Sequence, residues 1–397
     1  MAYLIGVVSF VVALLASVVL HEAGHFLTAK RFGMKATQFF VGFGPTLCST
    51  RRGETEYGVK AIPAGGFVRI VGYTPLEEID PADEERAFYR QPAGQRAVVI
   101  TAGVVMNFVI AFILLVGLAM TLGERHTGTP TTSIDTVTTC VPASITASCK
   151  PGDPKSPAAE AGLRAGDKIV SLGGTPVSTW DDLRNAIKSH KAGAPVSIAV
   201  QRGGRTIQYQ VTPVAVDGST FIGISSKVVG AGYVRDGPVD AVGYAVSTIG
   251  KAVRGIGTVL ADLPRAIPKL FSPDRGNTAG GQVGSVVGAG EVSGQIFTAD
   301  VNWKDKLDLF LQLVISVNIF LGALNVLPLL PLDGGHLAIV CYERIRVRIN
   351  KLRGRADPGT VDLTKLLPIT YLVFVILVGL GLLLILADVF NPLTLPQ

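Results

Sequence analysis

The sequence predicts a polytopic α-helical membrane protein with four transmembrane helices and a large inserted segment outside the lipid. Three observations predict this class: 48% of the 397 residues are hydrophobic, only 17% are charged, and the mean hydropathy is +0.44. Soluble domains carry about 25% charged residues, so a highly solvated or disordered chain is excluded. Four cysteines are too few for a disulfide scaffold.

Four stretches without Asp, Glu, Lys or Arg are long enough to cross a bilayer, which takes about 20 apolar residues in a helix. They are residues 1–20, 97–123, 309–332 and 366–387. The first has neither the basic start nor the cleavage site of a secretory signal, so we expect a retained helix. Asn325 and two prolines interrupt the third. Broken backbone at membrane depth is tolerated only inside protein or along a cavity, so this helix should face a site.

The placement of Lys and Arg predicts the orientation in the membrane. Ten basic residues lie in residues 26–96 and six in residues 344–355, and such loops remain cytoplasmic. We therefore expect a multi-pass protein of the inner (plasma) membrane with both termini and residues 124–308 extracytoplasmic. Cys140 and Cys149 fall in that outer segment, where a disulfide can persist, so their pairing is a hypothesis, with two free thiols as the alternative.

The motif His21-Glu22-Ala-Gly-His25 directly follows the first apolar stretch. Residues at i and i+4 share one face of a helix, so both imidazoles can bind one metal ion while Glu22 reaches a water activated by it. This pattern is typical of hydrolytic zinc sites. A chance match is the alternative, but ionisable residues in a membrane segment are usually functional.

Catalytic zinc sites usually have three protein ligands, so one more is needed. Asp333 is the best candidate because it ends the third apolar stretch, where we expect prolines to stop the helix and glycines to turn the chain. The carboxylate would then lie on non-helical backbone. A simple Asp-Gly-Gly turn is the alternative interpretation, and His336 is a competing ligand.

These motifs resemble the site-2 proteases, a family of intramembrane zinc metalloproteases, and most closely the actinobacterial form with one PDZ domain. The resemblance rests on His21-Glu-Ala-Gly-His25 together with Asn325-x-x-Pro and Leu-Asp333-Gly-Gly. It implies that His21, His25 and Asp333 bind one Zn²⁺. It also implies that Glu22 is the catalytic base and that Asn325 contacts the substrate backbone or the developing oxyanion.

The resemblance also implies a membrane-associated β hairpin region that guides the substrate strand. Its glycines are Gly42, Gly44, Gly65 and Gly66. Glycine punctuation predicts a hairpin with its tip near residues 51–53, and an edge strand there could pair with an unwound substrate. A hairpin that only packs against the helices is the alternative.

Gly103 and Asn107 match the second-helix motif of the same family, although Val104 stands where proline is common. Leu330 likewise replaces a frequent proline in the third helix.

Residues 128–226 alternate short strand patterns with one helical pattern behind a Ser178 or Thr179 cap. The string Ala161-Gly-Leu-Arg-Ala-Gly-Asp-Lys-Ile169 makes this segment resemble a PDZ domain. PDZ domains bind peptides by strand addition. The expected peptide site is Phe221, Ile222, Gly223 and Ile224. A size filter that excludes bulky external domains would explain the same sequence.

The expected organisation, in residue numbers, is helix 1 with the histidine motif (1–26), cytoplasmic loop and hairpin (27–96), helix 2 (97–123), PDZ domain (124–228), amphipathic helix and Gly-rich connector (229–308), helix 3 (309–335), basic cytoplasmic loop (336–365) and helix 4 (366–390). Within the fifth segment, apolar spacing predicts a helix from Val239, and residues 274–295 are expected to be a flexible connector.

The leading hypothesis is a zinc endopeptidase that cleaves transmembrane segments of single-span proteins after a first cut outside the membrane. The resemblance implies anti-sigma factors as substrates, an upstream site-1 protease and a role in signal transduction. A membrane-anchored zinc protease of soluble or misfolded proteins is one alternative, and a non-enzymatic membrane PDZ scaffold is another. No nucleic-acid partner is expected, because the basic clusters adjoin membrane spans, where the lipid bilayer is nearer.

Overall fold

The computed structural model describes residues 1–73, 78–142, 149–150, 152–216, 218–272, 275, 284–356, 359 and 361–392. It forms two compact units. One consists of Met1–Leu122 with Arg235–Gln397, and the other of Gly123–Val234.

The helices are α1 (Ala2–Arg31), α2 (Ala93–Thr121), α3 (Pro157–Ala161), α4 (Trp180–Ser189), α5 (Pro238–Ala266), α6 (Val286–Thr298), α7 (Trp303–Val326), α8 (Asp333–Leu352) and α9 (Leu367–Phe390). The strands are β1 (Ala36–Arg52), β2 (Thr55–Ile70), β3 (Glu124–His126), β4 (Thr129–Val137), β5 (Lys168–Leu172), β6 (Thr175–Pro176), β7 (Val196–Arg202), β8 (Arg205–Val211), β9 (Val214–Val216), β10 (Ser219–Phe221), β11 (Ile224–Val229) and β12 (Gly232–Val234).

Four helical segments of the described chain are long and apolar enough to cross a membrane. They are Ala2–Arg31, Ala93–Thr121, Trp303–Val326 and Thr364–Phe390, which confirms the four predicted spans. Helix α2 packs between α1 and α7, and buried side chains such as Leu115 and Ile319 fill its contact with α7. A long apolar helix satisfies its own backbone hydrogen bonds in lipid, so each charge-free stretch forms this structure.

The helix of the third span ends earlier than the charge-free stretch that predicts it. Helix α7 stops at Val326, residues 327–332 are non-helical, and Asp333 is the first residue of α8. The prediction that Asp333 lies on non-helical backbone is therefore wrong. The prolines interrupt α7 as expected, but Gly334 is helical and serves close packing, because a Cβ there would lie 2.3 Å from the Leu327 carbonyl oxygen.

The basic segment after this span is largely helical, since α8 continues to Leu352. A buried ion pair joins it to α2: Arg96 donates to the Glu343 carboxylate at 2.6 Å, and both side chains are at most 10% exposed. The backbone N–H of Val361 donates to the other Glu343 oxygen at 2.7 Å. These bonds fix α8, and with it Asp333, against α2.

The Gly-rich stretch at residues 274–295 is not wholly a connector. Asp274 and residues 276–283 lie outside the described residues, but α6 begins at Val286. Small residues let α6 approach α1 closely, and Ser293 Oγ donates to the Gly6 carbonyl oxygen at 2.8 Å. Packing of this kind outweighs the low helix propensity of glycine.

The predicted hairpin forms four paired segments rather than two. Residues 36–41 of β1 pair with residues 66–70 of β2 on one side and residues 56–59 on the other. Residues 48–52 pair with residues 55–59, on the side of that segment that faces away from residues 36–41. Among the described residues, 66–68 therefore have a strand partner on one side only.

The turn between β1 and β2 lies where the sequence predicts it, with Gly53 at φ +62°. Next to it, Arg86 donates to Glu54 at 2.7 and 2.9 Å, and Lys30 of α1 makes a further ion pair with the same carboxylate. The Arg86 guanidinium, with help from Lys30, lowers the pKa of Glu54 to about 2. The hairpin turn is thereby attached to the end of α1.

The second unit combines strands β3–β12 with the short helices α3 and α4. Its antiparallel sheet has the order β11-β4-β5-β7-β8, and a buried cluster including Ile134, Ile169, Leu183 and Ile198 forms its core. Helix α4 begins with the expected cap, since the Thr179 side chain accepts from the N–H of its third helical residue.

Candidate metal centre

Helix α1 and the start of α8 bring three ligand-type side chains together. His21 and His25 are one turn apart on α1, and their Nε2 atoms are 3.2 Å apart. Asp333 Oδ2 lies 3.3 Å from the first Nε2 and 3.4 Å from the second. Among the described residues, this is the one group of His, Cys, Asp or Glu side chains that meets the geometry of a metal site.

The chemistry of these donors fits zinc. Two imidazole nitrogens and a carboxylate oxygen are a known catalytic donor set, and three protein ligands leave a position for water. Asp333 Oδ2 is buried, and although both histidine Nε2 atoms lie within 3.4 Å, it forms no well-aligned hydrogen bond with the described residues. A cation at the meeting point of the three groups would satisfy this oxygen. His336, the competing ligand, lies apart from this group, with its ring 5.0 Å from that of Tyr73.

Helix α2 supports the two histidines. His25 Nδ1 lies 2.8 Å from the Val99 carbonyl oxygen, so Nδ1–H donates there and Nε2 is left as the metal-facing lone pair. Gly103 makes room for the same ring, because a Cβ there would lie 2.2 Å from His25 Nε2. Asn107 Nδ2 lies 3.2 Å from His21 Nδ1. The contacts of Gly103 and Asn107 cannot be read from the sequence, although their spacing of four repeats that of the histidines.

Glu22 lies beside the edge segment of the hairpin sheet. A Cβ on Gly66 would lie 3.5 Å from Glu22 Cγ. The segment of β2 that contains Gly66 therefore passes close to the Glu22 side chain.

Asn325, at the end of α7, lines a cavity of about 50 Å³ together with Asp333. This volume is enough for a water molecule. The structure therefore brings Asn325 close to the ligand group without a hydrogen bond to it.

The other predicted glycines lie in the hairpin sheet. Gly42 and Gly44 have φ of +87° and +82°, and Gly65 has φ of +126°. A Cβ on Gly42 would lie 2.7 Å from the Ile62 carbonyl oxygen, so these residues shape the strands. Of these four glycines, Gly66 is the one whose added Cβ would come within 4 Å of Glu22.

In the second unit, the segment Phe221–Ile224 leads into β11, an edge strand of the sheet. The Ile222 and Gly223 carbonyl oxygens accept hydrogen bonds from Ala158 N and Thr138 N. Cys140 and Cys149 are joined as a disulfide.

The chain matches the family described as "Peptidase family M50" over residues 9–357. It is 39% identical over 414 residues to "Zinc metalloprotease Rip1" of Mycobacterium tuberculosis and 39% identical over 417 residues to the protein of that name in Mycolicibacterium smegmatis. Both alignments cover 100% of each chain. The chain is also 25% identical to the crystal structure of the PDZ domain of an SdrC-like protein from Listeria monocytogenes. That match covers 26% of this chain and 90% of the other, with a TM-score of 0.18.

Proposed function

Because the chain belongs to peptidase family M50, the site-2 protease family, we propose that it cleaves transmembrane segments of single-span membrane proteins. It is a multi-pass zinc metalloendopeptidase whose substrates are membrane proteins. The non-enzymatic scaffold is thereby set aside. One observation carries the proposal. His21, Glu22 and His25 lie on a membrane-spanning helix, and Asp333 of α8 lies close to both histidines.

In this proposal His21, His25 and Asp333 would hold the zinc ion. Bound zinc would act as a Lewis acid and lower the pKa of water toward neutrality. The Glu22 carboxylate accepts a proton from the attacking water and returns it to the leaving amide nitrogen. The Asn325 amide, on the cavity beside Asp333, is placed to donate to the substrate carbonyl.

The hairpin edge offers a means of presenting the substrate. A transmembrane helix hides its peptide bonds in internal hydrogen bonds, so it must unwind before attack. Residues 66–68 have a strand partner on one side only among the described strands, and an extended substrate could add to the other side. Because a Cβ on Gly66 would lie 3.5 Å from Glu22 Cγ, the added strand would run close to the base.

The basic residues at the ends of α1 and along α8 support a cytoplasmic position for these ends of the helices. The termini and the PDZ-like domain would then be extracytoplasmic. Substrates would be single-span proteins such as anti-sigma factors, already shortened by a site-1 protease. The edge strand β11 supports peptide binding by the PDZ-like domain. If the domain acts as a size filter instead, removal of the domain should permit cleavage of unshortened substrates.

The test is cleavage of a doubly tagged single-span substrate, co-expressed with the full chain. Glu22→Gln should abolish cleavage while leaving zinc bound, and Glu85→Gln, which changes an exposed carboxylate, should leave cleavage intact. Unchanged cleavage by Glu22→Gln would refute the mechanism. Cleavage of a soluble unfolded protein but not of the membrane segment would favour the membrane-anchored alternative.

A further inference from the structure

One buried amide beside the ligand group is only half satisfied. Asn107 of α2 is 1% exposed, and its Nδ2 lies 3.2 Å from His21 Nδ1. Its Oδ1 is buried and has no hydrogen-bond partner among the described residues. A buried oxygen that lacks a hydrogen-bond donor loses the hydrogen bonds it would make with water, which is unfavourable. Such a group within an apolar span calls for a functional reason.

The chemistry of a metal-binding imidazole supplies that reason. A neutral histidine has one ring proton, so a ring that offers the Nε2 lone pair to a metal carries its proton on Nδ1. Nδ1–H is a donor and needs an acceptor, but Asn107 Nδ2 is also a donor. The observed orientation suits the other tautomer, in which Nε2–H of His21 faces Asp333 Oδ2 at 3.3 Å.

A half turn of the Asn107 amide about its Cβ–Cγ bond exchanges the two atoms. Oδ1 would then accept from His21 Nδ1–H, which satisfies the buried oxygen and fixes the tautomer that a metal ligand requires. We propose that Asn107 is a positioning residue that holds His21 ready to bind zinc through this hydrogen bond. The inference rests on the proposed function, since it takes His21 as a zinc ligand.

The partner histidine has the matching arrangement. His25 Nδ1 lies 2.8 Å from the Val99 carbonyl oxygen, a fixed acceptor. On α2, Gly103 lies beside His25, and Asn107 lies beside His21. The two pairs follow opposite orders along the two helices, as expected for antiparallel neighbours. Two antiparallel helices with the same spacing of four therefore provide room for one ring and an acceptor for the other.

The experiment measures zinc affinity of the full-length protein in phospholipid nanodiscs, by competition with a chromogenic chelator. Asn107→Leu removes the acceptor and should weaken zinc binding by about 10–100-fold, the usual effect of losing such a partner. Asn107→Asp retains acceptor oxygens and should bind zinc at least as tightly as the wild type. Asn318→Leu is the matched control.

Asn318 is also a fully buried amide in a membrane-spanning helix, and its Oδ1 likewise has no hydrogen-bond partner among the described residues. Its Nδ2, however, donates to Ser17 Oγ and the Val314 carbonyl oxygen rather than lying against a ligand-type residue. Its loss should change zinc affinity by less than about twofold, because it contacts none of the ligand residues.

Unchanged zinc affinity in Asn107→Leu would overturn the proposal, as would equal weakening by Asn318→Leu or a loss in Asn107→Asp as large as that in Asn107→Leu. Should Asn107→Leu not fold, Asn107→Ala decides the same comparison. A wild-type protein that binds no zinc would instead overturn the proposed function, so the two failures are distinguishable.

Discussion

Gly103→Ala replaces one hydrogen by a methyl group and should weaken zinc binding. A Cβ at this position would lie 2.2 Å from His25 Nε2, 2.7 Å from Cε1 and 2.8 Å from Cδ2. Real Cβ contacts almost never fall below 3.0 Å. The added carbon therefore lies against the face of the imidazole, at the nitrogen that would bind zinc.

The ring would have to move by at least about 0.8 Å, whereas zinc–ligand distances are defined to about 0.2 Å. Separation of α1 from α2 would open another close contact between the two helices, since a Cβ on Gly24 would lie 2.6 Å from the Ala102 carbonyl oxygen. With one of three ligands displaced, zinc affinity should fall by at least about tenfold, or 1.4 kcal/mol.

The assay is zinc per chain after dialysis against a graded chelator series, with cleavage of the tagged substrate measured on the same preparations. Gly117→Ala is the matched control, since it lies on the same helix and nothing stands within 4 Å of its added Cβ. Gly117→Ala should behave as the wild type. A folded Gly103→Ala protein with wild-type zinc affinity and cleavage would refute the packing argument.

Two further predictions concern the ion pairs away from the ligand group. Glu343→Gln leaves the buried Arg96 without its charged partner and should lower the free energy of unfolding by about 3 kcal/mol. Zinc binding should also weaken, because Glu343 lies on the helix that begins at Asp333. An unchanged midpoint of thermal unfolding would contradict this prediction. In the PDZ-like domain, the Arg202 guanidinium holds the pKa of Asp167 below its usual range. The folded pKa is thus below the unfolded one, so this stabilisation is full above about pH 3.9 and is lost as the pH falls further. The stability of Asp167→Asn should therefore fall less between neutral pH and acid than that of the wild type. Identical pH dependence of unfolding in the wild type and the variant would rule out a contribution from this ion pair.

Much of the architecture could be predicted from residues whose effect is local. A charge-free stretch of about 20 residues has few alternatives to a transmembrane helix, so the four spans followed from composition along the chain. The spacing of His21 and His25 likewise needs only the geometry of one helix. The position of Asp333 at the end of the third charge-free stretch makes it the best candidate for the third ligand, and the family resemblance implies the same role.

The remainder depends on contacts between distant segments. Asp333 was expected on irregular backbone, but the chain resumes a helix there because Gly334 allows tight packing. Helix α6 forms in a Gly-rich stretch since Ser293 and its neighbours meet α1. The second pairing of residues 36–41, and the support of His21 by Asn107, also join segments that no local pattern connects.

Zinc content tests the central claim most directly. Purified wild-type protein and Glu22→Gln should each hold about one zinc per chain, because Glu22 acts on water and is not a ligand. Asp333→Ala and His21→Ala should hold close to none under the same conditions. Retention of wild-type zinc by folded Asp333→Ala protein would contradict the claim that α1 and α8 together form the catalytic metal site.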